Sequence, residues 1–509
     1  PADSLSESPL GQQTPAAPKN NATTPVEIRC QGSLEFDFDE LQLTLNDHVD
    51  VIRHNLEGPS DQLNCQELRV HFNDPNAKTE SDDAASMKLA PSKLVAIGFP
   101  VILRADSYGA FARGEQLEYD FAKQRISMRD RESVVLGNDS FELQSQWLWY
   151  ELHKGKQLGS MEAGGPGRVT GTIGKEQQRF EATWQTEVKL QPFNGSDVLS
   201  LIDAAHVSVD GAGEVTADAL HVYLAEQPRS ENSAKPTITA DKLKAIGNVR
   251  FDSPRIAGVI QDVQIWFTQP PFGGVPTEGP ATGEHAASAL FAKPADASSG
   301  PVQKLVVQAE QLNAEVQLGD HPQLIRLAAQ GKVHCEEQVS QGTVSGMSLD
   351  CDIFHVVDGA TENPIATVEG SPARVMAEGA QLVGSVIEIH QGSNRAFIKG
   401  PGQMTLPRPQ TPQSPWFVQW QHRMRFDGQQ ATFDGDVVAR GVQLMKTGEQ
   451  VRFNATGDAL NVTLTRFVSF KQPDDADEVG LRGMLFQGKC FLQSETIDPR
   501  GSRKSSEQM

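Results

Sequence analysis

Few residues in this chain stand close enough in sequence to do chemistry together. The stretch "NDHVDVIRH" gathers Asp47, His48, Asp50 and His54, donor types that bind divalent metal. On a strand, His48 and Asp50 share one face and Asp47 takes the other. No trio then has metal-ligand spacing, and the stretch reads as a surface strand. Asp37 and Asp39 could mimic the two acids that flank a glycosidic bond during cleavage. They alternate with Phe36 and Phe38, which makes them the solvated side of a half-buried strand and a guard against stray edge pairing. The cysteines, Cys30, Cys65, Cys335, Cys351 and Cys490, contain no CxxC pair, so zinc-ribbon and thioredoxin chemistry are excluded. Cys335 and Cys351 lie one hairpin arm apart, a spacing that suits either a bridge or two buried thiols. No GxSxG, HExxH, Walker or GxGxxG pattern stands in a suitable context. The sequence therefore predicts no catalytic residue, no metal site, no cofactor and no enzyme activity.

The elements that carry these residues are strands. Gly (44) and Pro (30) are frequent, which favours a turn-rich fold, and period-3.6 patterns are hard to find. In "GEQLEYDF", Leu117, Tyr119 and Phe121 share a face opposite Glu118 and Asp120. In "NVRFD", Val249 and Phe251 oppose Asn248, Arg250 and Asp252. In "GSLEFDFDELQLTL", Leu34, Phe36 and Phe38 alternate with acids, and Leu41, Leu43 and Leu45 alternate with polar residues. This is period-2 patterning of half-buried strands. The net charge is −21 with no basic run, which argues against nucleic acid and against docking on an anionic membrane surface. No apolar stretch is long enough to span a bilayer as a helix.

Internal repetition organises the chain. Gly-Pro-Gly occurs at Gly165–Gly167 and at Gly400–Gly402, followed by Trp184 and Trp420 respectively. "ADALHVYL" (Ala217–Leu224) matches "GDALNVTL" (Gly457–Leu464), and Cys65 and Cys351 occupy equivalent places in "LNCQELRV" and "LDCDIFHV". A finer unit recurs within each copy. It reads apolar-x-Ala/Gly-x-Gly-x-Val, a turn, then Gly/Ala-Asp/Glu-x-Leu-x-Val. Hairpins that cannot bury a face alone should stack in a quasi-one-dimensional array. The expected organisation is a disordered linker at 1–27, a first β-repeat at 28–269, a Pro/Gly/Ala-rich insert at 270–301, a second β-repeat at 302–495 and a disordered tail at 496–509. Trp147 and Trp149 share a face, which suits core burial or a partner patch.

"ITADKLKAIGNVRFDSPRIAGVIQDVQIWF" (238–267) and "VEGSPARVMAEGAQLVGSVIEI" resemble the OstA-like repeat of the lipopolysaccharide-transport periplasmic proteins, the A, C and D components of that system. The resemblance covers most of 28–495 outside the insert. It implies an all-β fold, an open β-jellyroll of stacked antiparallel hairpins, here duplicated. It further implies a non-enzymatic, periplasmic cell-envelope protein that holds the acyl chains of a lipid or lipopolysaccharide-like glycolipid in its interior. Its partners would be other OstA-like β-jellyroll proteins, joined end to end by strand augmentation at the terminal rungs, near 34–45 and 484–493. The N-terminal linker fits tethering to an inner-membrane anchor. The strand faces nominate Leu117, Tyr119, Phe121, Val249, Phe251, Ile265, Phe267, Val375, Ile387 and Ile389 as the groove lining. The alternatives are a carbohydrate-active or adhesive β-solenoid and a solid structural scaffold.

Overall fold

The computed structural model describes residues 25–55, 58–73, 89–106, 109–153, 158–173, 178–211, 213–227, 237–254, 256–268, 304–317, 323–338, 347–377, 380–406, 415–444, 449–467, 481–497 and 503–508. Among them the regular elements are 29 strands, with no helix. The expected linker (apart from 25–27) and the whole 270–301 insert lie outside the described residues. Two compact units divide the chain. One holds Pro1–Phe121 and Val135–Asp139, the other Ala122–Val134 and Ser140–Met509. The halves 28–269 and 302–495 are a different division, drawn from sequence repeats.

The first unit is an antiparallel meander. β1 (Val26–Arg29) and β2 (Leu34–Asp37) both pair with β3 (Gln42–Arg53). β4 (Asp61–Phe72), β5 (Pro91–Ala105) and β6 (Ala110–Asp120) follow in turn. Leu45, Val49, Leu63, Leu68, Ala96, Val101 and Leu117 form its buried side. Phe38, expected to continue the strand alternation, sits in the turn after β2 and is 81% exposed. β7 (Arg125–Asn138) contributes residues to both units.

The second unit repeats the scheme at greater length. Its early strands are β8 (Phe141–Glu151), β9 (Ser160–Gly164), β10 (Gly167–Ile173), β11 (Gln178–Trp184), β12 (Glu187–Phe193) and β13 (Ser196–Val209). β8 pairs with both β9 and β10, and β13 with both β11 and β12, so each of those short pairs is one strand broken in the middle. β14 (Gly213–Gln227), β15 (Thr237–Asp252) and β16 (Ile256–Thr268) continue antiparallel. β16 then pairs in parallel with β17 (Lys304–Gln317). Antiparallel order resumes through β18 (Gln323–Gln338), β19 (Ser348–Val357), β20 (Ile365–Ala377), β21 (Ala380–His390) and β22 (Arg395–Leu406). β23 (Trp416–Trp420) and β24 (Arg423–Phe426) form another broken strand between β22 and β25 (Gln430–Leu444). β26 (Gln450–Leu464) carries β27 (Leu481–Gln487) and β28 (Phe491–Ile497) in the same way, and β29 (Arg503–Gln508) closes the order on β28.

β29 corrects two expectations. Part of the tail at 496–509 is strand, and the 484–493 rung is not terminal along its second half, because Leu492 and Gln493 of β28 pair with Gln508 and Glu507. Both faces of "RKSSEQ" are polar, so no alternation announces a strand whose stabilisation comes from backbone pairing.

The recurring Gly-x-Val has a geometric cause. Midway along β15, Gly247 (φ +74°) and Asn248 (φ +49°) both take the left-handed conformation, and the ladder with β16 shifts between Ile246 and Val249. Gly331–Lys332 does the same in β18, Gly435–Asp436 in β25, Asp203–Ala204 in β13 and Asp47–His48 in β3, each with a register shift. Two successive left-handed residues turn the strand through a corner, as a β-bulge does. The residue that leaves each corner is small, apolar and buried: Val249, Val333, Val437, Ala205 and Val49. In β5 and β20 the corner is instead built around Phe99–Pro100 and Ser371–Pro372, again followed by a buried residue, Val101 or Ala373.

The second half of the repeat, Ala/Gly-Asp/Glu-x-Leu, lies across from these corners on the neighbouring strand. Asn248 Nδ2 donates to the Asp218 carboxylate at 3.1 Å, the Ser371 N–H to Asp352 at 3.1 Å and the Lys489 N–H to Asp458 at 3.2 Å. Lys332 pairs with Glu310 at 3.9 Å. Ser371 and Lys489 offer backbone N–H groups that stand outside the ladder, for which the acid is the partner, whereas Asn248 and Lys332 reach their acids with side-chain nitrogens. Two residues after the acid, Leu220, Phe354 or Leu460 is buried.

The two Gly-Pro-Gly turns sit at matching places beside a tryptophan, although Gly165 separates β9 from β10 and Gly400, at φ +80°, lies inside β22. Gly167 pairs with Trp184 and Gly402 with Trp420, and a Cβ on either glycine would come within 2.3 or 2.5 Å of the indole. Only glycine lets the ring lie flat on the neighbouring backbone. The N–H of the first glycine donates two residues beyond the tryptophan in both cases, Gly165 to Thr186 O and Gly400 to His422 O. Trp184 and Trp420 are both buried.

Candidate functional site

In the second unit the corner residues and their alternating neighbours build one apolar side. Val249, Ile260, Val263, Val307, Val333, Phe354, Val375, Ile387, Trp420 and Phe433 are buried in a single cluster. Around it pack apolar side chains that stay half-buried, among them Leu243, Phe251, Ile265, Leu327, Ile389 and Phe453.

Six of the ten nominated groove residues meet there: Val249, Phe251, Ile265, Val375, Ile387 and Ile389. They do not play one role. Val249, Val375 and Ile387 are buried and act as packing, whereas Phe251, Ile265 and Ile389 keep accessible surface. Phe267 is half-buried toward the end of β16. The other three belong to the first unit. Leu117 is buried there, and Tyr119 meets Phe121 edge to face with centroids 4.8 Å apart. Phe121 lies beyond the end of β6, in the following turn, and is 38% exposed. Leu243, Leu327 and Phe453 are not among the nominated residues, although the same alternation identifies them.

In the stretch read as a surface strand, His48 Nδ1 meets Asp47 Oδ1 at 2.5 Å, and Asp50 and His54 take other partners. The left-handed pair Asp47–His48 breaks the strand alternation expected there. Asp50 accepts from Gln62 and Asn64, and His54 faces Glu27 at 3.1 Å. Among the described residues no three His, Cys, Asp or Glu side chains converge as metal ligands. Asp37 accepts from the backbone N–H groups of Asp39 and Glu40, a turn-capping role. Trp147 is partly exposed, and the Arg125 guanidinium lies over Trp149 at 4.4 Å.

The cysteines are free. Burial pushes the Cys65, Cys335 and Cys351 thiols up to about 12, with nearby acids adding to the effect. Because the thiolate is the nucleophile, a thiol reagent near neutral pH should label Cys490 and Cys30 first. Cys65, Cys335 and Cys351 should react only as the protein unfolds. The same shift fixes a pH dependence. A folded-state pKa raised above the ordinary 9.0 favours the folded state while the thiol is neutral. That contribution is full below pH 9.0 and is lost as pH rises toward about 12. Denaturant midpoints should therefore fall across this window and fall less in Cys335→Ala. Rapid native-state labelling of the three buried thiols would refute the assignment.

No protein-family model matches the chain, and neither does any curated protein sequence.

Proposed function

We propose that this is a non-enzymatic cell-envelope protein that holds the acyl chains of an amphipathic lipid, such as a lipopolysaccharide-like glycolipid, along the core-side face of an OstA-like β-jellyroll. The observation that carries this reading is the belt of half-buried apolar side chains, Leu243, Phe251, Ile265, Leu327 and Ile389 among them, around a fully buried core. A packed scaffold has no need to leave so much apolar surface partly accessible beside its core. Each methylene moved from water onto such a surface contributes roughly 0.8 kcal/mol, so a chain of about a dozen carbons gains on the order of 10 kcal/mol before ordering costs. No basic patch is needed, which suits a net charge of −21.

Duplication belongs to the same reading and is supported by the matched Gly-Pro-Gly and tryptophan corners. A periplasmic setting and end-to-end partners of the same fold follow from the resemblance. β1 and β2 of the first unit and β29 of the second are the strands suited to augmentation.

The test is photo-crosslinking in the presence of lipopolysaccharide. A crosslinker replacing Phe251 or Ile265 should capture lipid, and one replacing exposed Arg250 should not. Labelling should change little with salt, because the attraction is apolar. Equal capture from both faces, or none from Phe251 and Ile265, would reject the groove and favour a solid scaffold.

A further inference from the structure

We propose that the two cysteines outside the buried interior join copies of this chain, Cys490 of one molecule to Cys30 of the next, through thiol exchange with a small-molecule disulfide. The proposal rests on the end-to-end strand pairing put forward above and names what locks it. Cys65, Cys335 and Cys351 are buried, whereas Cys490 is exposed and Cys30 half-buried. Both stand where a strand is broken. β1 and β2 lie in line along β3, with 30–33 crossing between them. β27 and β28 lie in line along β26, with 488–490 crossing between them.

Among the described residues, β2 pairs only with β3 and β27 only with β26. Each is a free edge whose backbone groups are open to a further strand. β29 pairs with β28 from Leu492 to Ile497, short of β27 and Cys490. Leu34 on β2 is 61% exposed and Leu485 on β27 is 57% exposed, so each edge carries apolar surface that a facing strand would cover. In an antiparallel pair, the chain entering one strand runs beside the chain leaving the other. Cys30 stands four residues before Leu34, the first residue of β2, and Cys490 three residues after Gln487, the last of β27. With Leu34 of one copy laid against Gln487 of another, the two cysteines fall within one position of each other. Neighbouring strands lie about 4.8 Å apart, inside the roughly 4.4–6.8 Å between Cα atoms that a disulfide spans. Both crossing segments are irregular chain, free to close the remaining offset.

The chemistry is two successive thiol–disulfide exchanges. One cysteine thiolate attacks the small disulfide and expels one thiol, leaving a mixed disulfide on the protein. The facing thiolate of the next molecule attacks that protein sulfur and expels the second thiol. One protein S–S bond forms, and the reagent is reduced to two thiols that take up the protons the cysteines lose. The contact Cys30 gives up is weak, Sγ to Gly32 O at 3.7 Å. Because each cysteine meets a different residue, the contact is heterologous and can repeat along a row of molecules.

The experiment incubates the intact chain with oxidised glutathione, followed by non-reducing electrophoresis and mass spectrometry of the linked peptides. A ladder of covalent oligomers that a reductant collapses is expected, with Cys30 and Cys490 as the linked pair. Cys30→Ser and Cys490→Ser should each abolish the ladder, since neither cysteine pairs with its own kind. Leu485→Asp, which keeps both thiols, should slow the ladder about ten-fold by weakening the edge contact. Circular dichroism checks that each variant keeps its strands. No ladder, a ladder indifferent to Leu485→Asp, dimers in either serine variant, or a link confined to monomers overturns the proposal. Sedimentation of the reduced protein separates this failure from that of the reading beneath it. Oligomers without a ladder overturn the bridge and leave the end-to-end pairing standing, whereas monomers without a ladder overturn both.

Discussion

Trp420→Ala should cost about 3–5 kcal/mol of stability, the range for emptying a large buried aromatic site. Trp420 is fully buried, lies tilted against Phe433 with centroids 5.2 Å apart and packs on the bare backbone of Gly402. The strands on either side of β23, β22 and β25, bend there at Gly400 and at Gly435–Asp436, so the surrounding backbone has little freedom to collapse into the void. The conservative pair of variants is more informative. Trp420 Nε1 donates to Gly400 O at 3.1 Å, whereas the buried Trp184 Nε1 has no hydrogen-bond partner. Trp420→Phe therefore loses a hydrogen bond and strands a carbonyl, while Trp184→Phe removes a donor that is already unsatisfied. Leaving a buried polar group unpaired costs about 1–3 kcal/mol, so Trp420→Phe should be the more damaging of the two by roughly that amount. Denaturant unfolding of the two variants decides it. Equal losses would mean that the indole N–H plays no part at either corner.

This difference between two matching tryptophans marks where the sequence stops being informative. Period-2 alternation identified the strands and the inward side of Val249, Phe251, Val375 and Ile387, because a side chain on a strand has only two faces to choose from. It also showed that Gly-Asn-Val and Asp-x-Leu recur. It could not show that the two motifs face each other, since Asp218 and Asn248 meet only once β14 and β15 pair. Nor could it show that Asp47 and His48 form a corner, because neither is the glycine that usually marks a left-handed residue. Alternation assigns a face but not its accessibility. Val249 and Phe251 therefore looked equivalent, although one is sealed and the other half-open.

Gly247→Ala is expected to be the most damaging single-methyl change in the repeat, and a double-mutant cycle can separate its two causes. The residue holds φ +74°, and an added Cβ would lie 2.1 Å from the Asp218 carboxylate. A left-handed backbone alone costs a residue with a Cβ about 1–2 kcal/mol. The contact adds more, because Asp218 is held in place by Asn248 at 3.1 Å and cannot swing aside without losing that hydrogen bond. Asn248→Ala should cost less, about 0.5–1.5 kcal/mol for one hydrogen bond, with a further small loss because Asn tolerates positive φ better than Ala. Asp218→Ala removes the two closest carboxylate atoms. In the Asp218→Ala background the penalty of Gly247→Ala should therefore shrink toward the backbone cost, giving a favourable coupling of roughly 1 kcal/mol. Gly488→Ala against Asp458→Ala should repeat the result, since Gly488 has φ +89° and its Cβ would also fall 2.1 Å from the facing acid. Additive losses at both corners would show that the acids are bystanders on the surface, and that the repeat keeps its carboxylate position for some reason other than the corner.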